Sequence, residues 1–280
     1  MSDLTTTFSF VKYHGAGNDF ICIDDRDLAF APFETQAQIE KLCQRHLGVG
    51  ADGLILLRND EEHQLRMVYY NSDGAPSSFC GNGSRCFIHF AHQVGLLKIG
   101  ESLRFVAADG VHFGKLQSEG LVEVSMNISA ELKKLSRDED FVDTGSPHFI
   151  KWMEVLPEGE IVSSAKEIRY GPAFAKTGGV NVNYVSVQPD DSLTIRTYER
   201  GVENETLACG TGITAAAISF AERRGLTHQI QIDIRALGGD LSVRFERTGA
   251  GTVRGVRLIG PAKAVFSAQI ELPNLGQSAS

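Results

Sequence analysis

Cys80-Gly81-Asn82-Gly83 recurs 129 positions later as Cys209-Gly210-Thr211-Gly212, and each copy opens a run with the apolar spacing of a helix. A thiol at a helix N-terminus lies beside unpaired backbone N–H groups and the positive end of the helix dipole, which favour thiolate over thiol. The glycines that follow let a ligand approach those amides closely. Amides so placed can hold a substrate carboxylate and stabilise the enolate-like charge that develops when an alpha proton leaves. Inverting such a carbon needs a base on one face and an acid on the other. Two thiols of opposite protonation state fit that requirement, which points to a two-base proton-transfer enzyme.

The elements that must position these thiols are also repeated. After the first copy, Cys86, Phe87, Phe90, Ala91 and Val94 form an apolar stripe that ends at Gly95-Leu96. After the second, Ile213, Ala216, Ala217 and Phe220 do the same and end at Gly225-Leu226. A strand-like run precedes each copy, Leu65 to Asn71 and Leu193 to Arg200, with Tyr69 and Tyr198 also 129 apart. On this spacing Asn71 and Arg200, each nine residues before its cysteine, are expected in equivalent places. Gly17-Asn18-Asp19-Phe20 is loosely echoed by Gly145-Ser146-Pro147-His148-Phe149, and hairpin-like segments with turn glycines follow both helices at 108–116 and 237–241. The pattern predicts an α+β fold of two pseudo-symmetric domains, each a central helix wrapped by mostly antiparallel strands, with the active site in the cleft between them. Residues 1–128 with 265–274 are expected to form one domain and 141–264 the other. The charged stretch 129–140 reads as a linker, and the polar tail from Asn274 to Ser280 as disordered.

The chain has 280 residues, enough for two domains of about 120–140 residues each. A net charge of -8 argues against a nucleic-acid surface. No apolar run is long enough to span a membrane and the N-terminus lacks a signal-peptide pattern, so a cytoplasmic location is expected. Five cysteines without regular short spacing read as free thiols in a reducing compartment rather than a disulfide framework. Cys22, Cys43 and Cys86 fall in apolar runs and are expected to be buried hydrophobes. Zinc-type cysteine pairs are absent, and Gly48-Val49-Gly50-Ala51-Asp52-Gly53 lacks the remaining residues of a phosphate or dinucleotide loop, so neither metal nor nucleotide cofactor is expected. Taken alone, His148 reads as an ordinary surface loop residue, which only the echo with Asn18-Asp19 lifts towards function, and Glu199-Arg200 reads equally as a solvated pair at a strand end.

Several motifs together resemble the diaminopimelate epimerases, cofactor-independent enzymes that invert one alpha carbon of LL-diaminopimelate to the meso form. They are His14-Gly15-Ala16-Gly17-Asn18-Asp19-Phe20, Asn71-Ser72-Asp73-Gly74, the first cysteine motif through Cys86, Thr144-Gly145-Ser146-Pro147-His148, Asn181-Val182-Asn183, Tyr198-Glu199-Arg200-Gly201, and Glu205-Thr206-Leu207-Ala208 leading into Cys209. Proline racemases share the two-thiol plan but carry a different second motif. The resemblance implies that Cys80 and Cys209 are the acid/base pair and that His148 and Glu199 adjust thiol protonation. It also implies that Asn18, Asn71, Asn181 and Arg200 bind an amino-acid substrate, with Arg200 on the distal carboxylate and the amides of Gly81, Asn82, Gly210 and Thr211 on the reacting one. A C-terminal strand from Phe266 to Leu272 returning to the first domain, and a homodimer, are further implications. Two positions depart from the common pattern: Ser146 stands where many members have Asn, and Gly53 where many have Gln. The competing readings are a relative acting on another amino acid and, outside enzymes, a thiol redox sensor or ligand-binding protein.

Overall fold

A computed structural model describes residues 5–77, 79–128, 131–248 and 252–273. The chain divides into two compact units, Met1–Val124 with Ala262–Ser280, and Ser125–Pro261. The expected tail at Asn274 to Ser280 lies outside the described residues.

In the first unit, strands β1 (Thr5–Gly15), β2 (Asn18–Asp24), β3 (Gly53–Asn59), β4 (Leu65–Asn71), β5 (Ser102–Ala107), β6 (Gly110–Ser118) and β7 (Leu121–Ser125) are joined by the C-terminal strand β17 (Lys263–Pro273). β17 runs antiparallel to β1, with Phe10 opposite Ala268, as the C-terminal return predicts. From β1 the pairing proceeds to β2 antiparallel, β3 parallel, β4 antiparallel and β5 parallel, then through two hairpins to β7. Helix α1 (Gln36–Cys43) buries Ile39, Leu42 and Cys43 against Phe8, Phe10, Phe30 and Phe33. Helix α2 (Gly81–Gln93) packs against β1, β2 and β6.

In the second unit the strands are β8 (Glu131–Lys134), β9 (Glu139–Asp143), β10 (Pro147–Met153), β11 (Asn181–Val187), β12 (Leu193–Glu199), β13 (Asn204–Thr206), β14 (His228–Ala236), β15 (Gly239–Arg247) and β16 (Val253–Pro261). Helix α3 (Val162–Arg169) follows β10, and α4 (Gly210–Arg224) precedes β14. The pairing pattern repeats that of the first unit: β9 antiparallel to β10, β10 parallel to β11, β11 antiparallel to β12, β12 parallel to β14, then two hairpins to β16. The duplication thus extends from the cysteine motifs to the whole strand order, with β8 taking in its unit the place that β17 takes in the other.

Two sequence expectations change. The segment read as a linker supplies β8 and the start of β9, which form a hairpin pairing Leu132 with Val142. On the outer strand β8 all but Leu132 are exposed, while Asp140 on β9 is buried, so a half-buried hairpin has the composition of a tether. The second change is one of register. Phe20 pairs with Gly53 and Leu54 with Tyr70, while His148 pairs with Asn181 and Val182 with Tyr198. Tyr198 therefore matches Tyr70, and Asn71 matches Glu199 rather than Arg200. One extra residue between strand and helix in the second unit hides this shift, and a one-residue shift turns a side chain to the opposite face.

Both central helices are buried on nearly every side. In α2 this includes Asn82, Ser84, Arg85 and His89 as well as the expected stripe, and in α4 it includes Thr214 and Ser219. Burying Phe87, Ile88 and Phe90 contributes roughly 2 kcal/mol each, but buried polar groups must find partners. His89 Nδ1 lies 3.0 Å from the Tyr13 hydroxyl, Thr214 donates to the Gly210 carbonyl at 2.9 Å, and Ser219 donates to Asp140 at 2.6 Å. The helices end alike: Gly95 and Gly225 have positive φ, while the N–H groups of Leu96 and Leu226 reach back to Ala91 and Ala221 at 2.9 Å. No helix among the described residues is long and apolar enough to cross a membrane.

Candidate active site

Cys80 occupies the N-cap of α2 in an extended conformation, and its sulfur accepts the Gly83 N–H at 3.4 Å. The first turn is closely packed: a Cβ at Gly83 would sit 3.2 Å from Ile55 Cδ1. The N–H groups of Gly81 and Asn82 belong to the first turn, which has no intrahelical acceptor for them. Cys80 is half-buried, unlike Cys22, Cys43 and Cys86. Burial pushes the Cys43 thiol up to about 12 and those of Cys22 and Cys86 well above the ordinary range, so these three remain protonated hydrophobes as the sequence suggests.

A chain of side-chain contacts surrounds Cys80. Its Sγ lies 3.6 Å from Asn18 Oδ1, and the same oxygen accepts from Asn82 Nδ2 at 3.4 Å. Asn18 Nδ2 donates to Asp52 Oδ2 at 2.7 Å. Asp52 and Asp19 are clasped by Arg45, and Asp19 also meets the Lys12 ammonium at 2.8 Å. Burial alone would raise the Asp19 carboxyl, but Arg45 and Lys12 hold it down at about 2. The guanidinium of Arg85 is wholly buried and donates to Asn82 Oδ1 at 2.9 Å; burial draws it down to about 10. Asn71 ends β4, half-buried, outside this chain of contacts. Gly53 leaves no room for a side chain, since a Cβ there would meet the Tyr70 carbonyl at 2.4 Å and Tyr69 Cε2 at 2.6 Å. The Tyr69 ring fills the space a larger residue would take.

In the second unit Cys209 is the buried N-cap of α4, with its sulfur 3.4 Å from the Thr211 hydroxyl. The His148 ring lies against the first turn of this helix: a Cβ at Gly212 would come within 3.4 Å of its Nδ1. His148 is fully buried. Asn183 Nδ2 donates to the Phe149 carbonyl at 3.0 Å, which fixes the orientation of that amide, and it meets His148 Nδ1 at 3.2 Å. Nδ1 is therefore the acceptor, so the proton of a neutral ring resides on Nε2. Nε2 is buried with no partner among the described residues. Burial, and then the positive charge of Arg200, bring His148 down from 6.5 to about 3, which keeps the ring neutral in ordinary conditions.

Arg200 immediately follows β12, half-buried. Its backbone N–H donates to Asn181 Oδ1 at 2.8 Å, while Asn181 Nδ2 donates to Ser146 Oγ and to the Pro147 carbonyl, both at 2.9 Å. Asn181 thus ties the loop carrying Arg200 to the loop preceding His148, and Ser146 takes part in that tie. Glu203 shapes the turn after Arg200 by accepting from Gly201 N at 3.0 Å, Tyr198 at 2.9 Å and Arg169 at 2.9 Å. Among the described residues the Arg200 guanidinium has no carboxylate within 4.0 Å. Glu199 is the last residue of β12, half-buried, opposite Asn204. Gly210 and Thr211 open α4, with first-turn N–H groups like those of α2.

The structure brings Cys80, Asn18 and Asn82 together, and places His148, Asn181 and Arg200 near one another. The sequence reading missed Asp52, Arg85 and Asn183 as their partners. For Asn183 a signal existed, because the i, i+2 spacing of Asn181 and Asn183 puts both on one face of a strand. No group of three or more His, Cys, Asp or Glu side chains among the described residues is placed to hold a metal ion.

The family model described as diaminopimelate epimerase matches residues 10–129 and 141–265. A diaminopimelate epimerase of Flavobacterium psychrophilum is 40% identical over 92% of this chain and 98% of its own. Another from Chlorobaculum tepidum is 38% identical over 92% of this chain and 99% of its own. Among solved structures, a phenazine biosynthesis protein of the PhzF family from Bacillus anthracis has a TM-score of 0.73 at 14% identity, covering 95% of this chain and 99% of that one. That likeness concerns the fold and agrees with the two-domain α+β reading.

Proposed function

Because the chain belongs to the diaminopimelate epimerase family, we propose that it inverts one alpha carbon of LL-diaminopimelate to give the meso isomer, without a cofactor. The observation that carries this reading is that each unit sets a cysteine at the N-cap of its buried central helix, within a Cys-Gly-x-Gly motif. One thiolate removes the alpha proton while the other thiol delivers a proton to the opposite face. Exchanging these roles carries the reaction backwards. First-turn amides of Gly81, Asn82, Gly210 and Thr211 bind the reacting carboxylate and stabilise negative charge as the C–H bond breaks. Arg200 grips the distal carboxylate with its planar fork, and Asn181 positions Arg200. Asn18 and Asn71 contribute polar contacts from the first unit. His148 acts as a fixed Nε2–H donor rather than a proton shuttle, and Glu199 adjusts thiol protonation.

The product serves lysine and peptidoglycan precursor synthesis, and the site of action is the cytoplasm, where thiols stay reduced. The enzyme works as a homodimer. Support for a partner comes from β17, whose residues from Lys263 to Gln269 are all exposed and include Val265 at 57% and Phe266 at 47%. Cys80→Ser and Cys209→Ser, each assayed on LL-diaminopimelate by chiral chromatography, test the mechanism: each should lose epimerisation by at least about a thousandfold, as expected when a required acid or base is removed. Near-normal turnover in either variant would rule out the two-thiol mechanism.

A further inference from the structure

Asn18 and Asn82 stand between two groups whose hydrogen-bonding character is fixed. At one end Arg85 can only donate, so the Asn82 edge that meets it at 2.9 Å is Oδ1. Asn82 Nδ2 then faces Asn18, which must present Oδ1 at 3.4 Å. At the other end the Asp52 carboxylate, paired with Arg45, only accepts, so the Asn18 edge that meets it at 2.7 Å is Nδ2. The two ends independently demand the same orientation of both amides. The result is a carbonyl oxygen directed at the Cys80 sulfur at 3.6 Å. A carbonyl accepts from S–H and repels S⁻, whereas the Gly83 N–H and the helix terminus favour S⁻.

We propose that Asp52 and Arg85 are positioning residues that act through Asn18 and Asn82: they lock the Asn18 carbonyl towards Cys80 and so hold Cys80 as a thiol in the substrate-free enzyme. This inference rests on the two-thiol reading and extends it by assigning the resting proton. Helix geometry alone would make both N-cap cysteines thiolates, and a two-base reaction requires that one of them carry a proton. In the second unit, Cys209 faces the Thr211 hydroxyl, which can donate to a thiolate. Among the described residues, the charged and titratable groups near Cys80 include Arg85 and Cys86 on its own helix and, through Asn18, Asp52 in the loop before β3, with Asp19 on β2 acting on Cys86 and Arg45 and Lys12 neutralising the two carboxylates.

The test is the pH dependence of Cys80 alkylation by iodoacetamide in the full-length, substrate-free protein, read by peptide mass spectrometry. Asp52→Ala removes the short 2.7 Å contact and leaves only the long 3.4 Å contact from Asn82 to hold the Asn18 carbonyl in place, too weak to keep the NH2 group from turning to the sulfur, so the midpoint for Cys80 should fall by at least about one pH unit, the size of a hydrogen bond exchanged at a charged group. Asp52→Asn keeps a carbonyl that accepts from Asn18 Nδ2 and should retain the wild-type midpoint. Asn18→Leu removes the oxygen and should lower the midpoint as well, so it decides the question should Asp52→Ala fail to fold. A wild-type midpoint in folded Asp52→Ala, or in Asn18→Leu when it is the deciding variant, overturns the proposal, as does a shift in Asp52→Asn as large as in Asp52→Ala. Because the readout needs no turnover, it stands apart from the assay of wild-type epimerisation, whose failure would instead remove the functional reading.

Discussion

Acid should expose the cost of burying His148. The ring is fully buried, its Nδ1 accepts from Asn183, and its affinity for a second proton is drawn from 6.5 to about 3 by burial and the Arg200 charge. The folded-state value is depressed, so between these limits the unfolded chain binds the proton more readily than the native one. Stability from this site is complete above about pH 6.5 and is lost progressively as pH falls towards 3. At about 1.4 kcal/mol per pH unit, the loss reaches roughly 3 kcal/mol by pH 4. Urea unfolding of wild type and His148→Gln at pH 7 and pH 4 isolates this contribution, because the other titrating groups are common to both proteins. Wild type should lose about 3 kcal/mol more than the variant across that interval. Parallel losses in the two proteins, or a His148 ring that titrates near 6.5 by nitrogen NMR, would refute the neutral Nε2–H assignment.

Two further predictions concern positions that sequence reasoning misjudged or flagged. Asp140 accepts from Trp152 at 2.8 Å, Ser219 at 2.6 Å and Arg223 at 2.5 Å; Asp140→Ala, which strands these donors, should cost about 3–5 kcal/mol in denaturant unfolding. A loss below about 1 kcal/mol would mean that this hub behaves like an exposed ion pair. Gly53→Gln should lower the thermal midpoint, because its Cβ overlaps the Tyr70 carbonyl and the Tyr69 ring, and overpacking of this kind costs about 1–3 kcal/mol; an unchanged midpoint would show that β3 has room for a larger residue.

The features legible in the sequence were those written in local spacing. Both cysteines, the helices behind them, the glycine stops and the β5–β6 and β14–β15 hairpins follow from short-range pattern, and the repeat made each half a check on the other. Asp140 was hidden because a carboxylate in a charged stretch looks solvated until Trp152, Ser219 and Arg223 converge on it from β10 and α4. The matching of Asn71 with Glu199 was concealed by a single inserted residue, since counting back from the cysteines preserves the spacing but not the strand register. Asn18 was singled out by motif, yet the direction of its amide depends on residues 52, 82 and 85, which meet only through the β2–β3 pairing and the first turn of α2. The resemblance implied that His148 is a helper, but its tautomer could not be read without knowing that Asn183 faces its Nδ1.

Single-turnover epimerisation of LL-diaminopimelate in deuterium oxide tests the central claim most directly. With separate thiols serving the two faces of the alpha carbon, the first meso product should carry deuterium at the inverted centre while recovered LL substrate remains unlabelled. Deuterium appearing equally in substrate and product from the earliest times would indicate one group serving both faces and would contradict the two-thiol account.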